Sequence, residues 1–123
     1  MRKQVIEIYN QDDTTHNAHF MADRQADRNV ALTSRGKVSL RFEESETPIK
    51  LRCDIHPWEQ AWLAVLPNPF FHVTTADGTY ELPPMPPGEY AVVAWHEVYG
   101  EQERRVVLRN GGTEIVDFIF QGK

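Results

Sequence analysis

Residues 37–43 read KVSLRFE, in which Val38, Leu40 and Phe42 alternate with Ser39 and Arg41. A period of two marks a strand with one dry and one wet face, because successive side chains leave a pleated backbone on opposite sides. The same alternation runs through KQVIEIY (3–9), where Ile6 and Ile8 are set against Val5, Glu7 and Tyr9. Further strand-like runs are IKLRC (49–53), AWLAVL (61–66), FFHVTT (70–75), TYELP (79–83), YAVVAWH (90–96), RRVVL (104–108) and EIVDFIF (114–120). Turn chemistry separates them in SRGK, LPNP, ADG, PPMPPG and RNGG. The best helix candidate, MADRQADRN (21–29), is short and has no apolar stripe at the 3.6-residue period, so it reads as a loop holding one helical turn at most. About ten short strands with regular turn signals predict an all-β fold, a sandwich or a barrel.

The 123 residues suit one domain over 1–123, with two halves, 1–66 and 67–123, that meet near LPNP. ELPPMPPGEY (81–90) holds four of the eight prolines and reads as a tight turn, since Tyr80, Leu82, Tyr90 and Val92 on either side are patterned for burial. Net charge is -5 and the basic residues are scattered apart from Arg104 and Arg105, which leaves no electrostatic footprint for nucleic acid. No apolar run reaches the roughly 18 residues a membrane-spanning helix needs, and the start passes from Arg2 and Lys3 straight into a strand pattern with no signal-peptide core. No phosphate loop, nucleophile elbow or H-E-x-x-H is present, and nothing marks a base or oxyanion arrangement for a catalytic cysteine, so a non-enzymatic role is expected.

Chemistry concentrates in two places. NQDDTTHNAHF (10–20) carries His16 and His19, and RCDIHPWEQAW (52–62) carries the single cysteine, Cys53, three residues before His56. A lone cysteine makes no internal disulfide, which leaves it as ligand, nucleophile or core filler. A C-x-x-H loop at a strand end turns both side chains toward one point, and Pro57 stiffens it by fixing φ. Thiolate with two imidazoles is the donor set of trigonal copper sites, completed by a weak axial group. His16 and His19 are three apart, so on a strand they face opposite sides and only one can join. His72 reads as a partly exposed strand histidine and His96 as a packed, hydrogen-bonded one. Trp58 is expected at the surface as a docking rim, with Trp62, Phe70 and Phe71 packed inside.

CDIHPWE (53–59) resembles the copper loop of cupredoxins of the plastocyanin and amicyanin kind, in which Cys, His and Met follow one another closely. YNQDDTTHNAHF (9–20) is similar to the cupredoxin segment in which a strand ends in Asn, a polar turn follows, and a ligand His is succeeded by Asn. FFHVTTADGTYELPPMPPGEYAVVAWHE (70–97) looks like the stretch of bacterial cupredoxin-like proteins that is similar to the carboxypeptidase regulatory module. These segments span residues 5 to 97. The resemblance implies a cupredoxin-like Greek-key β-sandwich and one-electron transfer at a mononuclear copper site. It makes His16, Cys53 and His56 the ligands and Asn17 the loop-tying residue, and implies a periplasmic or extracellular location.

Two departures shape the expectation. Glu59 stands where the family pattern has its axial Met; it is either a harder axial donor that also admits zinc or a solvated loop residue, with Met21 as the other axial candidate. Only QVIEIY represents the strands expected ahead of His16, which would leave a sheet edge for a second copy or a partner chain to cover. Asp12, Asp13, Asp54 and Glu59 gather near the site and would steer a basic redox partner such as a cytochrome. The alternative is a metal-free β-sandwich accessory subunit of a larger assembly.

Overall fold

A computed structural model describes residues 1–56 and 58–121. Among the described residues there are eight strands and no helix, so the fold is all-β. The strands are β1 (Val5–Tyr9), β2 (His16–Met21), β3 (Arg28–Leu32), β4 (Lys37–Arg41), β5 (Glu46–Arg52), β6 (Gln60–Val65), β7 (Gly88–His96) and β8 (Gly100–Leu108). They belong to two compact units, Met1–Pro69 and Phe70–Lys123.

In the first unit β1 pairs with β4, and β3-β2-β5-β6 form a four-stranded sheet; every pairing is antiparallel. The period of two decides what each strand buries. Ile6, Ile8, Val38 and Leu40 point inward from the two-stranded sheet, and Ala18, Phe20, Leu32, Ile49 and Val65 from the larger one. Phe42, just past β4, meets Phe20 edge to face at 5.3 Å and joins the two apolar sides into one core. Pro48 lies within β5 at the point where the register with β6 slips, a place where a strand tolerates a residue with no amide hydrogen.

Residues 22–27 form the loop expected from MADRQADRN, while β2 and β3 take its flanks. The loop is seated on buried Glu46, whose carboxylate accepts the amide hydrogens of Asp23 (2.6 Å) and Arg24 (3.0 Å).

The second unit is built on the hairpin β7–β8, paired from Gly88 opposite Leu108 to His96 opposite Gly100. Gly100 adopts φ +77° in the connection, a conformation that suits a residue without Cβ. FFHVTT, TYELP and EIVDFIF do not become ladder strands. Pro83 at the end of the second run, and Pro84, Pro86 and Pro87 after it, supply no amide donors. In the third, the carbonyls of Val116 and Ile119 accept the Tyr80 hydroxyl and the Gln102 side-chain amide instead of backbone partners. Tyr80, Leu82, Tyr90 and Val92 are half-buried, and no described residue of this unit is fully buried.

Candidate metal centre

The antiparallel pairing of β2 with β5 brings the two ligand segments together. His19 lies opposite Arg52 and Phe20 opposite Leu51, so continuing the register past the end of β5 sets Ala18 beside Cys53. Cys53 follows Ile49 and Leu51 on the inward face of β5 and is buried, and His16 begins β2 on the face shared by Ala18 and Phe20. The loop from Cys53 to Glu59 closes as a hairpin: Cys53 N–H donates to the Glu59 carbonyl (3.3 Å) and Glu59 N–H to the His56 carbonyl (2.9 Å). Pro57, read from the sequence as the stiffening residue, lies outside the described residues.

One donor atom from each of His16, Cys53, His56 and Glu59 lies within 4.8 Å of all the others. The two Nδ1 atoms are 3.1 Å apart, and Cys53 Sγ is 3.6 Å from that of His56 and 3.9 Å from that of His16. Glu59 Oε2 is 3.0 Å from His16 Nδ1 and 3.7 Å from His56 Nδ1. Bonds of ~2.0–2.3 Å to nitrogen, oxygen and sulfur would place the donors of a tetrahedral ion about 3.3–3.7 Å apart. The observed spacings bracket that range, so the group can close on one metal ion with shifts of a few tenths of an ångström at most contacts. A cleft of about 400 Å³ opens beside His16, Cys53 and Glu59, with Ile8, Leu32 and Leu51 among its apolar walls.

Asn17 binds the cysteine loop to β2. Its Oδ1 accepts the Asp54 amide hydrogen (2.7 Å) and lies 3.3 Å from Cys53 Sγ, while its own N–H points at the sulfur from 3.5 Å. Burial pushes the Cys53 thiol up, but the amides of Asn17 and His56 and then the two imidazoles outweigh it and bring the thiol down to about 7. His16 is raised above the ordinary histidine range by its contact with Cys53, then by Asp12, against its burial and with help from Glu59. A thiol and two carboxylates thus surround His16, an environment that favours positive charge at that ring.

The remaining candidates lie elsewhere. His19 faces the opposite side of β2, with Nδ1 3.2 Å from Asp54 and Nε2 3.8 Å from Asp27. Met21 shares that opposite face and lies five residues along the strand, about 16 Å at ~3.3 Å per residue, too far to serve as an axial donor beside His16. His72 is exposed and outside any strand, which corrects the strand assignment. His96 Nδ1 accepts the amide hydrogens of Val98 and Tyr99, and its ring stacks on Tyr99 at 4.7 Å. Trp58 is 75% exposed with its ring 5.2 Å from that of His56. Trp62, Phe70 and Phe71 were expected inside but are exposed: Trp62 sits on the outward face of β6, under the Lys50 ammonium, and the two phenylalanines lie outside any strand.

The contacts of two structural residues escape the sequence pattern. Asn10 is buried, and its side-chain amide donates to the carbonyls of Thr14 (2.8 Å), Leu32 (3.1 Å) and Thr33 (3.0 Å), shaping the loop before His16. Asp12, counted in the sequence only as part of an acidic patch, has Oδ2 2.9 Å from His16 Nε2. Comparison with protein-family models, curated proteins and solved structures finds no match to this chain.

Proposed function

We propose that this chain is a copper-binding protein of the cupredoxin kind that passes single electrons, with His16, Cys53 and His56 as ligands and Glu59 as the axial donor. The observation that carries this reading is the convergence of one sulfur, two imidazole nitrogens and one carboxylate oxygen within 4.8 Å, from the first residue of β2 and the connection between β5 and β6. Bound copper would supply a Cu(II)/Cu(I) couple, for which soft sulfur and borderline imidazole nitrogen are a matched donor set. Cys53 provides the thiolate, and Asn17 holds that sulfur through its N–H and fixes the loop through its side chain. Donors already within bonding reach of a common point need little rearrangement between the two charge states. The same set accepts zinc in a tetrahedral site.

The two-sheet core of the first unit supports a cupredoxin-like Greek-key β-sandwich as the architecture of this reading. Exposed Ile55 and Trp58 on either side of His56 in the chain, with Asp12, Asp13, Asp54 and Glu59 on the two segments that lead into the cluster, favour docking of a basic redox partner such as a cytochrome, in a periplasmic or extracellular setting. A second reading, a metal-free accessory subunit of a larger assembly, is favoured by the second unit, where Val73, Ile115 and Ile119 are exposed and no described residue is fully buried.

Titration of the protein with Cu(II), followed by visible and EPR spectra, separates the two. The copper reading expects a one-to-one complex with thiolate-to-Cu(II) charge transfer that disappears in Cys53→Ala and in His56→Ala. A colourless protein that takes up no stoichiometric copper would leave the accessory reading standing.

A further inference from the structure

We infer that Asp12 is a positioning residue for the metal centre: its carboxylate holds the His16 ring with hydrogen on Nε2, so that Nδ1 is left free to bind the ion. This rests on the metal-binding reading of the same cluster.

An imidazole that binds an ion through one nitrogen must carry its hydrogen on the other, and the group that accepts that hydrogen fixes both tautomer and ring orientation. His16 Nδ1 faces Cys53, His56 and Glu59, whereas its Nε2 faces Asp12 Oδ2 at 2.9 Å. Without an acceptor at Nε2, the neutral ring would gain by keeping its hydrogen on Nδ1, where Glu59 Oε2 lies 3.0 Å away. That tautomer cannot ligate through Nδ1. Asp12 opposes it with a charged acceptor on the far side of the ring.

The loop is built to deliver this carboxylate. Asp12 is exposed, yet its backbone is pinned on both sides: its N–H donates to Asn10 Oδ1 (3.0 Å), and its carbonyl accepts from the Arg35 amide (3.1 Å) and the Ser34 hydroxyl (3.5 Å). Arg35 holds φ +58° in that arrangement, a conformation that non-glycine residues seldom adopt. Asn10, which supplies one of the pins, is itself fixed by three carbonyls. The next residue, Asp13, has the same side chain but pairs outward with Arg35 (2.8 Å), which makes it an internal control.

The test compares Asp12→Ala, Asp12→Asn and Asp13→Asn with the wild-type chain. Zn(II) affinity is measured by chelator competition, and imidazole 15N shifts are recorded at pH 9 in the metal-free protein and again with zinc. Asp12→Ala should weaken zinc binding about 10–100-fold and move the metal-free His16 ring toward the Nδ1–H tautomer. Asp12→Asn, which keeps an oxygen acceptor but loses the charge, should fall between, and Asp13→Asn should match wild type in both readouts. Equal losses in Asp12→Ala and Asp13→Asn, or an unchanged His16 tautomer in Asp12→Ala, would overturn the inference. If the wild-type chain takes up no metal, the metal reading fails by itself, and the 15N shifts of the metal-free protein still decide whether Asp12 sets the tautomer.

Discussion

A carboxylate oxygen is a harder donor than a thioether sulfur and brings a negative charge, so on the proposed reading Glu59 beside two imidazoles would favour the more highly charged state of a bound ion. Glu59→Met should therefore raise the reduction potential of the copper-loaded protein and strengthen its blue absorption, measured by spectroelectrochemistry. If both stay at their wild-type values, Glu59 keeps its contact with His16 and leaves the metal alone. At this scale the cysteine loop was legible, because a C-x-x-H spacing at a strand end constrains both side chains locally. His16 and His19 could be split by strand parity alone, and the faces of β2 now assign them: His16 with the cluster, His19 with Asp54 and Asp27. The bond from His16 to Asp12 was not legible. A contact four residues away outside a helix exists only because Asn10 folds the intervening loop, and no periodicity records that.

Elements are joined by buried polar groups as much as by apolar faces. Glu46, at the start of β5, is pushed up by its own burial, but the amides of Asp23 and Arg24 and the side chain of Gln25 outweigh this and leave its carboxyl below the usual glutamate range. A carboxyl whose folded value is depressed contributes stability above its unfolded value, about 4.3, and that contribution disappears as pH falls through the lower folded value. Glu46→Gln should thus cost stability at pH 7 and cost progressively less on the acid side of pH ~4, as read from urea unfolding midpoints at each pH. A cost that does not change with pH would mean that shape, not charge, seats the 22–27 loop. Alternating runs were read correctly as strands where a partner strand satisfies their backbone, as in β1, β4 and the β7–β8 hairpin. EIVDFIF has the same alternation, but Tyr80 and Gln102 take two of its carbonyls, and side-chain partners of that kind leave no trace in a period-of-two pattern.

Across the whole chain, apolar burial is uneven. Every fully buried apolar side chain among the described residues belongs to the first unit, with Ile49 at 0% exposure in its centre. Removing three carbons there leaves a cavity that Phe42, Phe20 and Val65 cannot all close upon, so Ile49→Ala should cost about 2–5 kcal/mol. Val93, half-exposed on β7, should cost far less when replaced by Ala, about 1 kcal/mol or under, since about half of its surface stays in water and no fully buried neighbour packs on it in this unit. The same unevenness orders local opening, because amides resist exchange where apolar contacts must be broken to expose them. Hydrogen exchange should find its slowest amides in β2 and β5, and faster ones throughout β7 and β8, since a two-stranded hairpin with no buried side chain has little to hold it shut. Ile49→Ala should then accelerate exchange in β2 and β5. Protection in β7–β8 equal to that of β5 would show that the hairpin is covered in solution, and would direct attention to what covers Val73, Ile115 and Ile119.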